Sequence, residues 1–155
     1  MQETDNELEF LGTGMQFPPA IDRATGRLQT VSGRESVRQA VWLILMTQLT
    51  ERPMRPEFGT NLMGFTFMEM NHTVLNMAIR TLKEQILMQE PRVGSVEISA
   101  EEGGSGMLLF RIDYTVRNSN VRDNFVFPFY LQGEPENTET EEEVFEPESL
   151  EETDD

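Results

Sequence analysis

The chain has 155 residues, room for one domain with a modest core, and a formal charge of −16. With no cysteine it has neither a disulfide frame nor a thiolate zinc site, and its single histidine, His72, leaves any Ser-His-Asp triad resting on one residue. Charge is segregated: residues 134–155 hold twelve acids and no base, and no basic stripe of the kind that binds phosphate runs through the rest, which excludes nucleic acid as a partner class.

The first ten residues, MQETDNELEF, carry four acids and no base, unlike a signal peptide, and 1–9 read as a mobile acidic lead-in. FLGTGMQFPPAIDRATGRLQTVSG, 10–33, is broken by glycine and proline and reads as loop, with a turn at Ala24-Thr25-Gly26 and a short strand near Leu28–Val31. Ser32-Gly33-Arg34-Glu35 fits a capping box, opening a helix over 34–49 whose apolar stripe is Val37, Ala40, Val41, Ile44, Leu45 and Met46. Trp42 falls beside that stripe, as a core-packing residue would. The longest apolar run, AVWLILM, is far too short to span a membrane.

TERPMRPEFGTNLMGFTFMEMN, 50–71, breaks the helical period. Its prolines predict a shaped loop carrying Arg52, Arg55 and Glu57, with a helical turn at 60–63. Asn71 can cap a second helix over 72–90, with Val74, Ala78, Ile79, Leu82 and Ile86 inward. Pro91 stops it, because proline disfavours a helical residue before it and has no N–H to give. VGSVEISAE and MLLFRIDYTVR then alternate around EGGSG as an antiparallel hairpin with one wet face. NFVFPFYL, 124–131, is apolar on both faces, and Pro128 assigns it to a sheet edge. Such an edge needs a cover, either this chain's own helices or N-terminal loop, or a strand from another chain.

Nothing in the pattern supplies chemistry. There is no metal-ligand constellation, no phosphate-cradling glycine loop, and no spacing that makes Glu90 converge with Asp113 or Glu57 as a glycosidase pair. A carboxylate beside Arg92 stays ionised, which disfavours a general acid. No catalytic residue, metal or cofactor is therefore expected. Glu90 and Arg92 flank the helix-ending proline, where they can form a helix-end salt bridge within the chain or offer opposite charges to a partner.

Three motifs, FLGTGMQFPP, ERPMRPEFG and EPRV, stand in that order around two helices and a hairpin. Together they resemble the small baseplate wedge and sheath-initiator proteins of contractile injection machines, a family that includes the small wedge protein of T4-like phages and the TssE proteins of type VI secretion. The resemblance covers Phe10 to Leu131. It departs from the family's frequent Gly-Glu-Arg at Thr50-Glu51-Arg52, and it excludes the acidic tail.

The resemblance implies a non-catalytic part, present in six copies, that joins the inner wedge to the sheath and initiates sheath assembly. Its partners would be the larger wedge subunits and the sheath protein, with spike, hub or inner-tube proteins as further candidates, and assembly would take place in the cytoplasm. Glu90, Pro91 and Arg92 would meet the wedge bundle, and the loop of Arg52, Arg55 and Glu57 is a second candidate contact. Within 107–131, the strand bearing Phe125, Phe127 and Phe129 would be the edge to which sheath arms add, with backbone hydrogen bonds supplying affinity and those side chains filling pockets or the core. The alternatives are a lysozyme-like cell-wall glycosidase of the tail tip, or an adaptor acting through its acidic tail.

The expected architecture is one α+β domain over 10–132, two main helices on a small antiparallel sheet made of a hairpin plus an edge strand. A disordered acidic tail, 133–155, would follow it.

Overall fold

The structure, a computed structural model, describes residues 9–69, 71–104 and 106–131. The acidic tail, and the lead-in up to residue 8, lie outside the described residues.

A three-residue 3-10 turn, Glu9–Leu11, leads into strand β1, Thr13–Met15, which pairs antiparallel with β2, Thr30–Ser32. Residues 10–33 are therefore not simply loop. Ile21 bridges Leu28 between the two strands, and the turn at Ala24-Thr25-Gly26 forms as the Asp22 carboxylate accepts from the Ala24 N–H and the Thr25 hydroxyl. A pairing this short leaves no periodic signal to read.

Helix α1, Gly33–Met46, buries Val37, Val41, Ile44 and Leu45. Its expected capping box does not form. Ser32 stands at the N-cap position but makes no side-chain cap bond, and Glu35 instead accepts from the Gln39 amide at 3.1 Å. The helix also stops three residues early. Thr47 turns extended, returns its hydroxyl to the Leu43 carbonyl at 2.7 Å, and gives its own carbonyl to the Thr60 N–H at 2.9 Å. A bond across thirteen residues of chain thus outweighs local helix propensity.

A single turn, α2, Leu62–Phe65, sits slightly later than the expected 60–63. Helix α3, His72–Gln89, starts as the sequence predicts, with the Asn71 side chain accepting from the Val74 N–H. It buries Ala78, Leu82 and Ile86.

The main sheet has the order β3-β4-β5, made by Val93–Gly104, Met107–Val116 and Arg122–Tyr130, all antiparallel. Period-two alternation holds throughout β4: Leu108, Phe110, Ile112, Tyr114 and Val116 are all buried. Residues of α1 and α3 join this inner face in one core, and Trp42 meets Phe125 and Phe127 at ring separations of 5.7 and 5.2 Å. The fold is α+β, as expected, and α1 covers the inner face of the edge strand.

Candidate functional site

The junction between α3 and β3 is built by Glu90-Pro91-Arg92. Glu90 leaves the helix in an extended conformation, which the following proline requires, while its N–H still reaches the Ile86 carbonyl. The Val93 N–H bonds back to the Glu90 carbonyl at 3.1 Å, so the chain reverses within four residues and enters the sheet.

Inside that turn the charges face each other. Arg92 donates from Nε to Glu90 Oε1 and from Nη2 to Oε2, both at 2.7 Å, a bidentate fork. Its backbone N–H adds a third bond to Oε1 at 3.1 Å. Nη1 then donates to the Leu11 carbonyl at 3.0 Å and to Ser36 Oγ at 3.1 Å. One guanidinium therefore ties together the N-terminal turn, the start of α1, the end of α3 and the start of β3. The hydrogen bonds to Glu90 raise the Arg92 guanidinium above its ordinary range, against an opposing push from burial. Glu90 is 6% exposed and both its oxygens accept from Arg92, so neither is turned toward a substrate. Of the three motif residues, Pro91 alone is exposed.

The neighbouring Gln89 side chain clamps the middle loop. Its amide accepts from the Gly59 N–H at 2.7 Å and donates to the Gly59 carbonyl at 2.8 Å. Gly59 has φ +105, and a Cβ there would stand 2.2 Å from the Thr47 carbonyl oxygen, so only glycine fits. The ERPMRPEFG loop is thereby fixed beside the junction. Arg52, Arg55 and Glu57 all stay exposed on it: Arg55 and Glu57 lie 3.8 Å apart, and Arg52 stacks 4.1 Å over the Phe58 ring.

Phe125, Phe127 and Phe129 are not surface residues. They are 5–6% exposed and fill the core beneath Trp42 and Phe110. What β5 leaves open among the described residues is its backbone edge, together with Val126. Pro128 lies opposite Leu109 and has no N–H, so this pair belongs to the non-hydrogen-bonded set of the β4–β5 ladder. Asn124 and Val126 share its parity, so their N–H groups turn away from β4; that of Asn124 is taken by the Asp123 carboxylate at 2.9 Å, which leaves the Val126 N–H on the outer edge. The other edge strand, β3, carries register shifts at Val93/Ser95 and Glu102/Gly104, irregularities that blunt pairing.

Carboxylates do not gather into a catalytic pair around Glu90. Asp113 lies on the wet side of the sheet, in a polar cleft with Glu97 and Asp123, and Glu57 is on the exposed loop. Among the described residues there is no cluster of His, Cys, Asp or Glu suited to a metal, and no helix long and apolar enough to cross a membrane.

Of the residues expected at the site, the structure joins Glu90 with Arg92 and sets the Arg52–Glu57 loop beside them, but leaves the β5 phenylalanines in the core. Sequence reasoning missed Gln89, Ser36 and Leu11, which complete the junction. Leu11 contributes only a backbone carbonyl, 81 residues away from Arg92, and no residue type could signal that.

The geometry is that of a small α+β domain with a bonded helix–strand junction and, among the described residues, an unpaired outer sheet edge. The sequence from 31 to 121, which runs from β2 through the junction to the turn before β5, matches the family described as baseplate wedge protein gp25. The chain belongs to this family and is a structural baseplate component that assembles with other baseplate subunits. It is the family that the three sequence motifs resemble, that of contractile injection systems.

No curated protein matches the sequence. Among solved structures, a candidate tail lysozyme of Geobacter sulfurreducens is 36% identical with a TM-score of 0.61, over 68% of this chain and 96% of that one. A chain of the anti-feeding prophage baseplate, 23% identical with a TM-score of 0.56, covers 82% of this chain and 91% of its own length, and shares the fold. A chain of the post-contraction pyocin R2 baseplate matches at 24% identity and a TM-score of 0.43, over 72% and 97% of the two chains.

Proposed function

We propose that this protein joins the inner wedge of a contractile particle's baseplate to its sheath and sets the starting register of the sheath. It acts without catalysis, assembles in the cytoplasm, and is present in six copies. The observation that carries this reading is the division of labour in the geometry. The Glu90–Arg92 pair is spent internally on a rigid joint, while the free β5 edge offers unpaired backbone groups to an incoming strand. The wedge would meet the outer surface of that joint, at Pro91 and on the loop of Arg52, Arg55 and Glu57, with Glu90 and Arg92 holding the surface in shape from within. The name of the Geobacter sulfurreducens relative suggests lysozyme activity for that protein. The buried Glu90, both of whose oxygens accept from Arg92, favours a mechanical role here.

Val126→Pro tests the proposal. It removes an N–H from the free edge and none from the β4–β5 ladder, so the protein should fold and enter baseplates while sheaths fail to start on them. Electron micrographs showing normal sheaths on Val126→Pro baseplates would refute the edge. Turnover of peptidoglycan by the purified protein would refute the mechanical reading.

A further inference from the structure

Between α1 and α2 the chain runs through Thr50-Glu51-Arg52-Pro53-Met54-Arg55-Pro56-Glu57-Phe58-Gly59, a loop held by bonds of its own. The Thr50 N–H reaches the Pro56 carbonyl at 2.8 Å, the Arg55 N–H the Arg52 carbonyl at 3.2 Å, and the Phe58 N–H the Arg55 carbonyl at 3.1 Å. Pro53 and Pro56 fix φ within that frame. Thr50 itself stands at φ +72, in the left-handed region that a β-branched residue rarely enters. Strain of this kind persists only where the surroundings over-determine it, and it gathers where a shape is used.

The charges of the loop are placed unequally. Glu51 turns back, its Oε2 accepting from the Gln48 N–H at 2.8 Å. Arg55 and Glu57 lie 3.8 Å apart, beyond hydrogen-bond reach, and both are exposed. The Arg52 guanidinium stacks on Phe58 and donates no hydrogen bond to a described residue. Stacking holds the guanidinium by one face and leaves the N–H groups on its edge in solvent. Arg92 is the opposite case, since Nε, Nη1 and Nη2 all bond within the domain. Met54, two residues beyond Arg52, is 92% exposed, more than any other large apolar side chain among the described residues.

A stacked arginine with unused donors is half of a carboxylate site. Its plane is set in advance, so a fork-to-fork pair forms with little further loss of side-chain freedom. An unbranched methionine beside it suits an apolar hollow, because its thioether adapts to irregular shapes.

We propose that Arg52 and Met54 act as one docking key: Arg52 takes an Asp or Glu carboxylate of a wedge subunit in a bidentate pair, and Met54 enters an apolar hollow beside that carboxylate. The inference rests on the reading of this loop as a wedge contact, and it names the chemistry the wedge must present there. The Gln89 clamp on Gly59 ties the key to the Glu-Pro-Arg junction, so the inward arginine positions what the outward one binds.

The test titrates particles assembled without this protein with each purified full-length variant. Electron micrographs give the concentration at which half of them carry sheathed baseplates. Arg52→Lys keeps the charge and loses the fork, and should raise that concentration about tenfold. Met54→Ser should raise it by about the same factor. Arg55→Lys, whose fork is not stacked in place, should stay within about twofold of the native protein. All three side chains are exposed, so circular dichroism and urea midpoints should match the parent's.

Arg52→Lys and Met54→Ser curves lying on the native one would overturn the proposal. So would an Arg55→Lys curve displaced as far as that of Arg52→Lys, since general charge, and not a preset fork, would then attract the wedge. A Gly-Ser-Gly-Ser insertion between Met54 and Arg55 separates the key from the reading beneath it. Assembly blocked by the insertion, with Arg52→Lys and Met54→Ser behaving as native, keeps the wedge at the loop and removes the key. Native assembly by the insertion variant removes both.

Discussion

The α3–β3 junction and the free edge of β5 lie in one small domain and use their polar groups in opposite ways. At the junction, Glu90 and Arg92 look from the sequence like charges on offer, yet they bond each other, Leu11 and Ser36. At β5, the residues that look like an apolar binding face are core, and the open donor among the described residues is the backbone N–H of Val126, that of Asn124 being taken by Asp123. The difference teaches that a charged motif can shape an interface without being its contact surface. An interface can also be carried by backbone that leaves no mark in residue type.

The comparison breaks first at Arg92. If the pair is an internal joint, Arg92→Ala strands a buried carboxylate and should cost about 3–5 kcal/mol, read as a large fall in urea midpoint. Arg92→Lys keeps the charge but loses the fork, and should cost clearly less than the alanine variant. An Arg92→Ala protein as stable as the parent would show that the fork does not hold the joint. Gly59→Ala comes next. Its Cβ would overlap the Thr47 carbonyl and its φ is unfavourable for alanine, so a loss of about 1–3 kcal/mol is expected. Amide exchange at position 59 should also quicken in this variant, as the Gln89 clamp loosens.

How far these regions were legible follows from the range of the interactions that build them. The α3 stripe, the Asn71 cap, the proline stop and the β3–β4 hairpin depend on neighbours a few residues apart, and the sequence displays them. The β1–β2 pairing and the early end of α1 depend on partners thirteen or more residues away, and no local pattern carries them. At the site, the spacing of Glu90 and Arg92 made the pair visible. Its inward direction was not visible, because the Leu11 carbonyl and the Ser36 hydroxyl that complete it come from distant chain. For the β5 phenylalanines the sequence left pockets and core both open, because periodicity identifies an apolar face, but only the position of Trp42 shows which face is covered.

A pH experiment sharpens the contrast between buried and exposed groups. Burial, then the nearby Asp123 charge, push the Tyr114 phenol above its ordinary range, and its hydroxyl donates to Asp123 at 3.1 Å. Since the folded value is the higher one, the stabilisation is complete below the unfolded value of about 10 and is lost as pH climbs from there toward the folded value. Urea midpoints should therefore fall above about pH 10, and Tyr114→Phe should flatten that fall while leaving neutral-pH behaviour close to the parent's. An unchanged alkaline slope in Tyr114→Phe would assign the loss to other groups.

The smallest effect is the most discriminating, because α3 and β3 are linked by a second ion pair. Lys83 Nζ donates to Glu97 Oε2 at 2.8 Å, within 0.1 Å of the junction fork, but the Glu97 side chain is 81% exposed. Water already solvates both partners, so Lys83→Ala should cost less than about 1 kcal/mol, and that cost should shrink further in high salt. Arg92→Ala, at the same pair of elements, should keep its penalty in salt, because the stranded Glu90 carboxylate is shielded from solvent. Equal penalties for the two substitutions would mean that mere bridging of α3 to β3 matters. Unequal penalties in the expected order would show that burial of the carboxylate, rather than the ion pair as such, makes Glu-Pro-Arg a joint.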